Sequence, residues 1–174
     1  KKNRVWIGTN ADGLFKFEAD SLMHLKELEK LTTSAIYAIY EDDSSNVWIG
    51  TIKGELIKYK NGVFIPCDFN HSSEQIFSFF QDSEGVILVC ANSGIYKIDN
   101  NKLSKKPLIN IKSASNIIED LSGNMWISSD SEGLYRYNKL THQIDLLSEQ
   151  NGLPNNSVTK ILFSSHGDIW GCTN

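Results

Sequence analysis

The stretch VWIGTNADGLFKF (5–17) returns as VWIGTIKGELIKY (47–59), VILVCANSGIYKI (86–98) and MWISSDSEGLYRY (125–137), each copy equal in length and aligned without a gap. A fifth copy opens as IWGCTN at Ile169. The corresponding positions Trp6, Trp48, Ile87, Trp126 and Trp170 lie 42, 39, 39 and 44 residues apart. Recurrence at a fixed period of about 20–50 residues marks a repeat architecture, in which each unit leaves an apolar face that only its neighbour covers. A large residue at the same place in every unit fills the gap between neighbours, so Trp6, Trp48, Trp126 and Trp170 read as structural packing residues.

Upstream of the later copies lie SAIYAIYEDDSSN from Ser34, EQIFSFFQDSEG from Glu74, ASNIIEDLSGN from Ala114 and SVTKILFSSHGD from Ser157. Each joins a β-branched or aromatic run to an Asp, Ser, Gly or Asn cluster just before the next strand, which is a hairpin signature. Gly13, Gly54, Gly94 and Gly133 then fall in or beside a second turn, and LFKF, LIKY, IYKI and LYRY follow as third strands with a cation among apolar neighbours. A weaker fourth strand comes next, at 63–65, 107–111 and 143–147. SLMHLKELEKL (21–31) has helix-forming residues but occupies a fourth-strand slot. The chain is therefore expected to be all-β, built from β-propeller blades of four antiparallel strands. There are about four repeats, spanning approximately 5–46, 47–85, 86–124 and 125–168, with a fifth begun at 169–174.

Composition narrows the partners. With 40% hydrophobic and 22% charged residues among 174, the chain has the composition of a soluble globular domain. Net charge is −4 and the only arginines are Arg4 and Arg136, so no basic stripe exists to bind nucleic acid. No apolar run approaches the ~20 residues that span a bilayer, and direct membrane insertion is not expected. Cys67, Cys90 and Cys172 are odd in number and far apart, which fits small buried hydrophobes better than disulfides or a metal site. Lys1-Lys2-Asn3 has neither an initiator Met nor an apolar leader, as expected of a processed chain or one cut from something longer.

The run NGLPNNSVTKILFSSHGDIW (151–170), together with VWIGT and GLYRY, resembles the two-component regulator propeller repeat. The third copy departs from the pattern, with Ile87-Leu88-Val89-Cys90 in place of Trp-Ile-Gly-Thr. The resemblance implies blades of a larger, about seven-bladed propeller in the periplasmic, extracytoplasmic part of a hybrid sensor histidine kinase. It also implies a non-catalytic sensory role linked to oligosaccharide-dependent control, with no cofactor. The partners implied are an oligosaccharide ligand, and the remaining blades and sensor domains of the parent protein. Beginning and ending on second strands, the chain reads as a slice of that propeller. Its last first strand, 157–163, could pair with 5–9 and close a four-bladed ring, or two chains could join their open blade faces as a homodimer.

Residues carrying chemistry are sparse. The acidic turns at 41–46 and 119–124 lack the alternating carboxylates of a calcium loop and read as hairpin turns held by Asp and Asn. They bring to mind sialidase-like propellers, but two arginines cannot form the cluster such a glycan-processing enzyme needs. His24, His71, His142 and His166 stand alone, without metal spacing. Propellers carry ligands on the face bearing the loops into the first strand and between the second and third strands. The candidate ligand residues are therefore Asn10, Asp12, Lys53, His71, Asn92, Asp130, Glu132 and Asn155. Two main functional classes follow: a ligand-sensing module, or a structural or dimerisation scaffold whose ligand binds elsewhere.

Overall fold

A computed structural model describes residues 4–67, 74–164 and 166–173. The strands form five antiparallel sheets in chain order. The first contains β1 (Arg4–Gly8), β2 (Leu14–Glu18) and β3 (Ser21–His24). The second contains β4 (Ile36–Glu41), β5 (Val47–Thr51), β6 (Leu56–Lys60) and β7 (Val63–Cys67). The third contains β8 (Ile76–Gln81), β9 (Ile87–Ala91), β10 (Gly94–Asp99) and β11 (Lys102–Leu103). The fourth contains β12 (Ala114–Glu119), β13 (Asn124–Ser129), β14 (Gly133–Asn138) and β15 (Ile144–Leu147). The fifth pairs β16 (Val158–Phe163) with β17 (Ile169–Thr173). These are propeller blades of up to four antiparallel strands.

The core is a series of slabs between successive blades. Ala38, Trp48 and Leu56 meet Ile76, Val89 and Tyr96 between the second and third blades. Leu88, Cys90 and Ile95 meet Ala114, Ile117 and Ile127 between the third and fourth. Because blades are covered on both sides, all five residues of β5 and of β9 are buried. Burial pushes the Cys90 thiol up to about 12, so it behaves as a core hydrophobe. Cys172, by contrast, is exposed.

Four expectations need correcting. First, β16 and β1 stand in separate sheets, β16-β17 and β1-β2-β3, so 157–163 does not close a ring on 5–9. Second, residues 21–31 divide into β3 and a 3-10 helix at Lys26–Lys30, whose Leu28 is buried. Third, the expected strand at 107–111 is reduced to a single bridge, Ile95 to Ile109, because Pro107 has no N–H for a ladder; the third blade's outer strand is instead β11.

The fourth correction concerns register in the third copy. Tyr40 faces Trp48, Ile118 faces Trp126 and Leu162 faces Trp170, while Phe80 faces Leu88. Leu88, not Ile87, therefore holds the tryptophan position, and the spacings become 42, 40, 38 and 44. Matching the copies without a gap hid a one-residue deletion in the turn between β9 and β10, where Ala91 faces Gly94 directly.

The first hairpin of the complete blades is fixed by one aspartate. Asp42 N donates to Asn46 O at 2.9 Å, Asp82 N to Val86 O at 3.0 Å and Asp120 N to Asn124 O at 2.9 Å. The Asp42 carboxylate also accepts from Asn46 N and Nδ2 and from Trp48 Nε1, the last at 2.9 Å. Asp120 does the same for Asn124 and Trp126. The residue before each aspartate ties blades together. Gln81 Oε1 accepts from Asp43 N at 2.9 Å, and Glu119 Oε2 accepts from Ser83 N at 2.7 Å. Glu41 pairs with Arg4 at 2.7 Å. Lys139 adds a second tie, meeting Glu119 at 2.8 Å and Asp82 at 3.4 Å.

Candidate functional site

The inner strands each carry one irregularity near their start. Pairing runs Ile36 to Thr51 and then Ala38 to Gly50, leaving Tyr37 without a partner. The same slip leaves out Phe77, Ser115 and Thr159. A bulge places two residues opposite one and swings the extra side chain out of the alternation. Neighbours on either side keep facing the blade interior: Ile36 and Ile76 are buried while Tyr37 is 56% exposed.

The four inner strands pack side by side, and their bulges converge. Together with Ser78, Lys160 and Asp130, the four bulge residues line a cavity of about 200 Å³. The Tyr37 and Phe77 rings stand nearly perpendicular, at 81° between their planes, with centroids 6.0 Å apart. Ser78 Oγ donates to Ser115 O at 2.7 Å and Ser115 Oγ donates to Val158 O at 3.1 Å, which fixes the polar wall across three blades. Asp130 Oδ1 accepts from Ser157 Oγ at 2.5 Å, so the carboxylate is oriented by the loop entering β16. Among the described residues the Lys160 ammonium has no ion-pair partner. One aromatic wall, one cation, one anion and several hydroxyl groups thus face a common space. This lining suits a small polar ligand with an apolar face.

The loop residues expected to bind ligand are not brought together. Asp130 alone lines this cavity. Asp12 lines a separate cavity of about 290 Å³ beside His24 and Glu29, and Lys53 lines a third of about 300 Å³. Glu132 Oε2 accepts from Lys112 N and Tyr135 OH, each at 3.0 Å, so it braces its own loop. Burial, with Glu132 beside it, pushes the Tyr135 hydroxyl up to about 12. Asn155 Oδ1 accepts from Ser157 N at 2.7 Å, and Asn92 O accepts from Ser113 N at 2.7 Å. Asn10 is exposed, and His71 lies outside the described residues. The sequence reading missed Tyr37, Phe77, Ser115, Thr159 and Lys160. The signal available was a count, six strand residues facing five.

The tryptophans divide as well. Trp48 is 3% exposed and lies between blades, with the Lys58 ammonium 4.8 Å from its ring centroid. Trp6 and Trp126 are half-buried against neighbouring clusters. Trp170 is 65% exposed.

Residues 30–53 match the family described as the two component regulator propeller. The matched stretch comprises β4, its aspartate turn and β5, and so contains Tyr37, Glu41, Asp42, Trp48 and Gly50. Histidine kinase P4 of Formosa agariphila is 26% identical over 178 residues, covering 87% of this chain and 12% of its own length. The extracellular domain of a hybrid two-component system from B. thetaiotaomicron superposes with a TM-score of 0.79 at 21% identity, over 98% of this chain and 24% of that one. A streptogramin B lyase superposes at 0.74 with 19% identity, over 97% and 58%. At these identities the two solved structures show a shared propeller fold. The chain spans about an eighth of the curated relative's length and a quarter of the sensor domain's.

Proposed function

We propose that this regulator-propeller chain is a non-catalytic, extracytoplasmic sensory module of a two-component regulator, and that its part in the larger propeller is to take up an oligosaccharide. The observation that carries the reading is the regulator propeller repeat itself, whose bulged inner strand supplies Tyr37 to the cavity. Likeness to the extracellular domain of a hybrid two-component system and to a histidine kinase supports the same reading. A periplasmic position follows from it. The lyase likeness is one of fold.

A scaffold role has one observation in its favour. Val5, Ile7, Phe17 and Leu22 are exposed on the first sheet, and Leu162 and Trp170 on the last. Such apolar faces fit burial against further blades or a second copy. Calorimetric titration of plant, host and microbial oligosaccharides into the complete sensor ectodomain separates the two. Saturable heat with one glycan class is the expected result, and absence of heat from every glycan would leave only the scaffold.

A further inference from the structure

We infer that the cavity where the inner-strand bulges meet is a subsite for a single neutral sugar ring, stacked on Tyr37 and gripped through adjacent hydroxyl groups by Asp130 and Lys160. The inference rests on the sensory reading above and specifies which chemistry its ligand presents here.

Size sets the first limit. A space of about 200 Å³ equals the volume of roughly seven waters at about 30 Å³ each. It accommodates one ring of an oligosaccharide and leaves the rest outside. The wall sets the second limit. Tyr37 is 56% exposed and braced by the perpendicular Phe77 ring, so exposed aromatic surface is presented at the cavity by a side chain that already has a packing partner. The C–H face of a pyranose is the complementary surface, and immobilised aromatic contacts bind at low entropic cost.

Charge sets the third limit. Asp130 and Lys160 line the same cavity and their charges cancel. An anionic sugar would gain the lysine and face the carboxylate; a cationic one would meet the reverse. A neutral diol satisfies both, because each hydroxyl donates and accepts: one donates to the aspartate oxygen not used by Ser157, and its neighbour accepts from the ammonium. Ser115 and Thr159 also line the cavity, their hydroxyl groups already tied to Val158 O and Cys172 O.

The test is two-dimensional amide NMR of this chain during titration with the methyl glycosides of glucose, galactose and mannose, and with sodium glucuronate. We expect saturable shifts from a neutral glycoside at Tyr37, Phe77, Ser115, Thr159 and Lys160, with weaker response to glucuronate. Tyr37→Ala should weaken binding about three- to tenfold, and Lys160→Met and Asp130→Asn should each reduce it while leaving distant amide signals unmoved. Tyr37→Phe should retain affinity, since stacking needs the ring and not the hydroxyl. Saturable shifts elsewhere, for instance around Asp12 and Glu29, would overturn this subsite and leave the sensory reading standing. Tighter binding of glucuronate, or affinity unchanged in Tyr37→Ala, would overturn the assigned chemistry. No shift with any of these sugars, together with glycan heat from the complete ectodomain, would overturn the subsite alone; silence in both experiments would overturn both readings.

Discussion

At Gly50 a single methyl group decides whether two blades can touch. A Cβ there would collide with Cγ2 of Ile76 on the next inner strand, and Gly8 stands in the same relation to Ile36. In the following blades the equivalent pairs are Cys90 with Ala114 and Ser128 with Val158, so a larger residue on one side goes with a smaller one on the other. Gly50→Ala is expected to cost about 1–3 kcal/mol by overpacking, and to cost less in an Ile76→Ala background, where the colliding Cγ2 is gone; urea denaturation of the single and double variants reads this out. Asp42 and Asp120 predict the acid limit. Burial alone would raise both carboxyls, but hydrogen bonds from Asn46 and Trp48, and from Asn124 and Trp126, outweigh it and hold both below the ordinary value of 3.8. A depressed carboxyl stabilises the fold above its unfolded pKa, and that contribution is lost as pH falls through the folded value. Stability should therefore decline below about pH 4. Asp42→Asn should flatten the decline in thermal melts across that range, and Asp42→Ala should cost about 1–3 kcal/mol at neutral pH.

Elements are joined by the residue that ends each inner strand. Gln81 shows that a neutral amide suffices to accept from the preceding blade's turn, whereas Glu119 also meets Lys139. Glu119→Gln should consequently destabilise less than Glu119→Ala, with the difference reporting the backbone tie and the remainder the ion pair; thermal unfolding at two salt concentrations separates them, since only the ion pair is screened. Hairpins, turns and glycines were legible because they obey local rules repeated in every copy. Bulges were not, because Tyr37 extends an apolar run that looks continuous in AIYAIYE. Register in the third copy was misjudged because Val86 occupies the turn slot held by Asn46 and Asn124, and so passes for the first residue of a strand. Of the candidate site, Asp130 was legible as a loop residue. Its companions lie on strands, where alternation predicts packing and only pairing partners reveal the exception.

Across the whole molecule, stability should be graded along the row of blades. Central strands β5 and β9 are buried throughout, while β1 and β17 bury no residue completely. In a stack held by nearest-neighbour contacts, protection follows the number of covered faces. Amide hydrogen exchange is expected to be slowest in β5, β9 and β13 and fastest in β1 and β17; uniform protection would contradict a row of separable slabs. The bulges have a further consequence for how such a chain can diversify. Since Tyr37, Phe77, Ser115 and Thr159 stand outside the ladder, each can change from aromatic to hydroxyl without disturbing the buried residue beside it, as the four copies themselves demonstrate. Repetition thus yields a scaffold with one position per blade that is free to drift while selection for folding acts on the buried residues beside it.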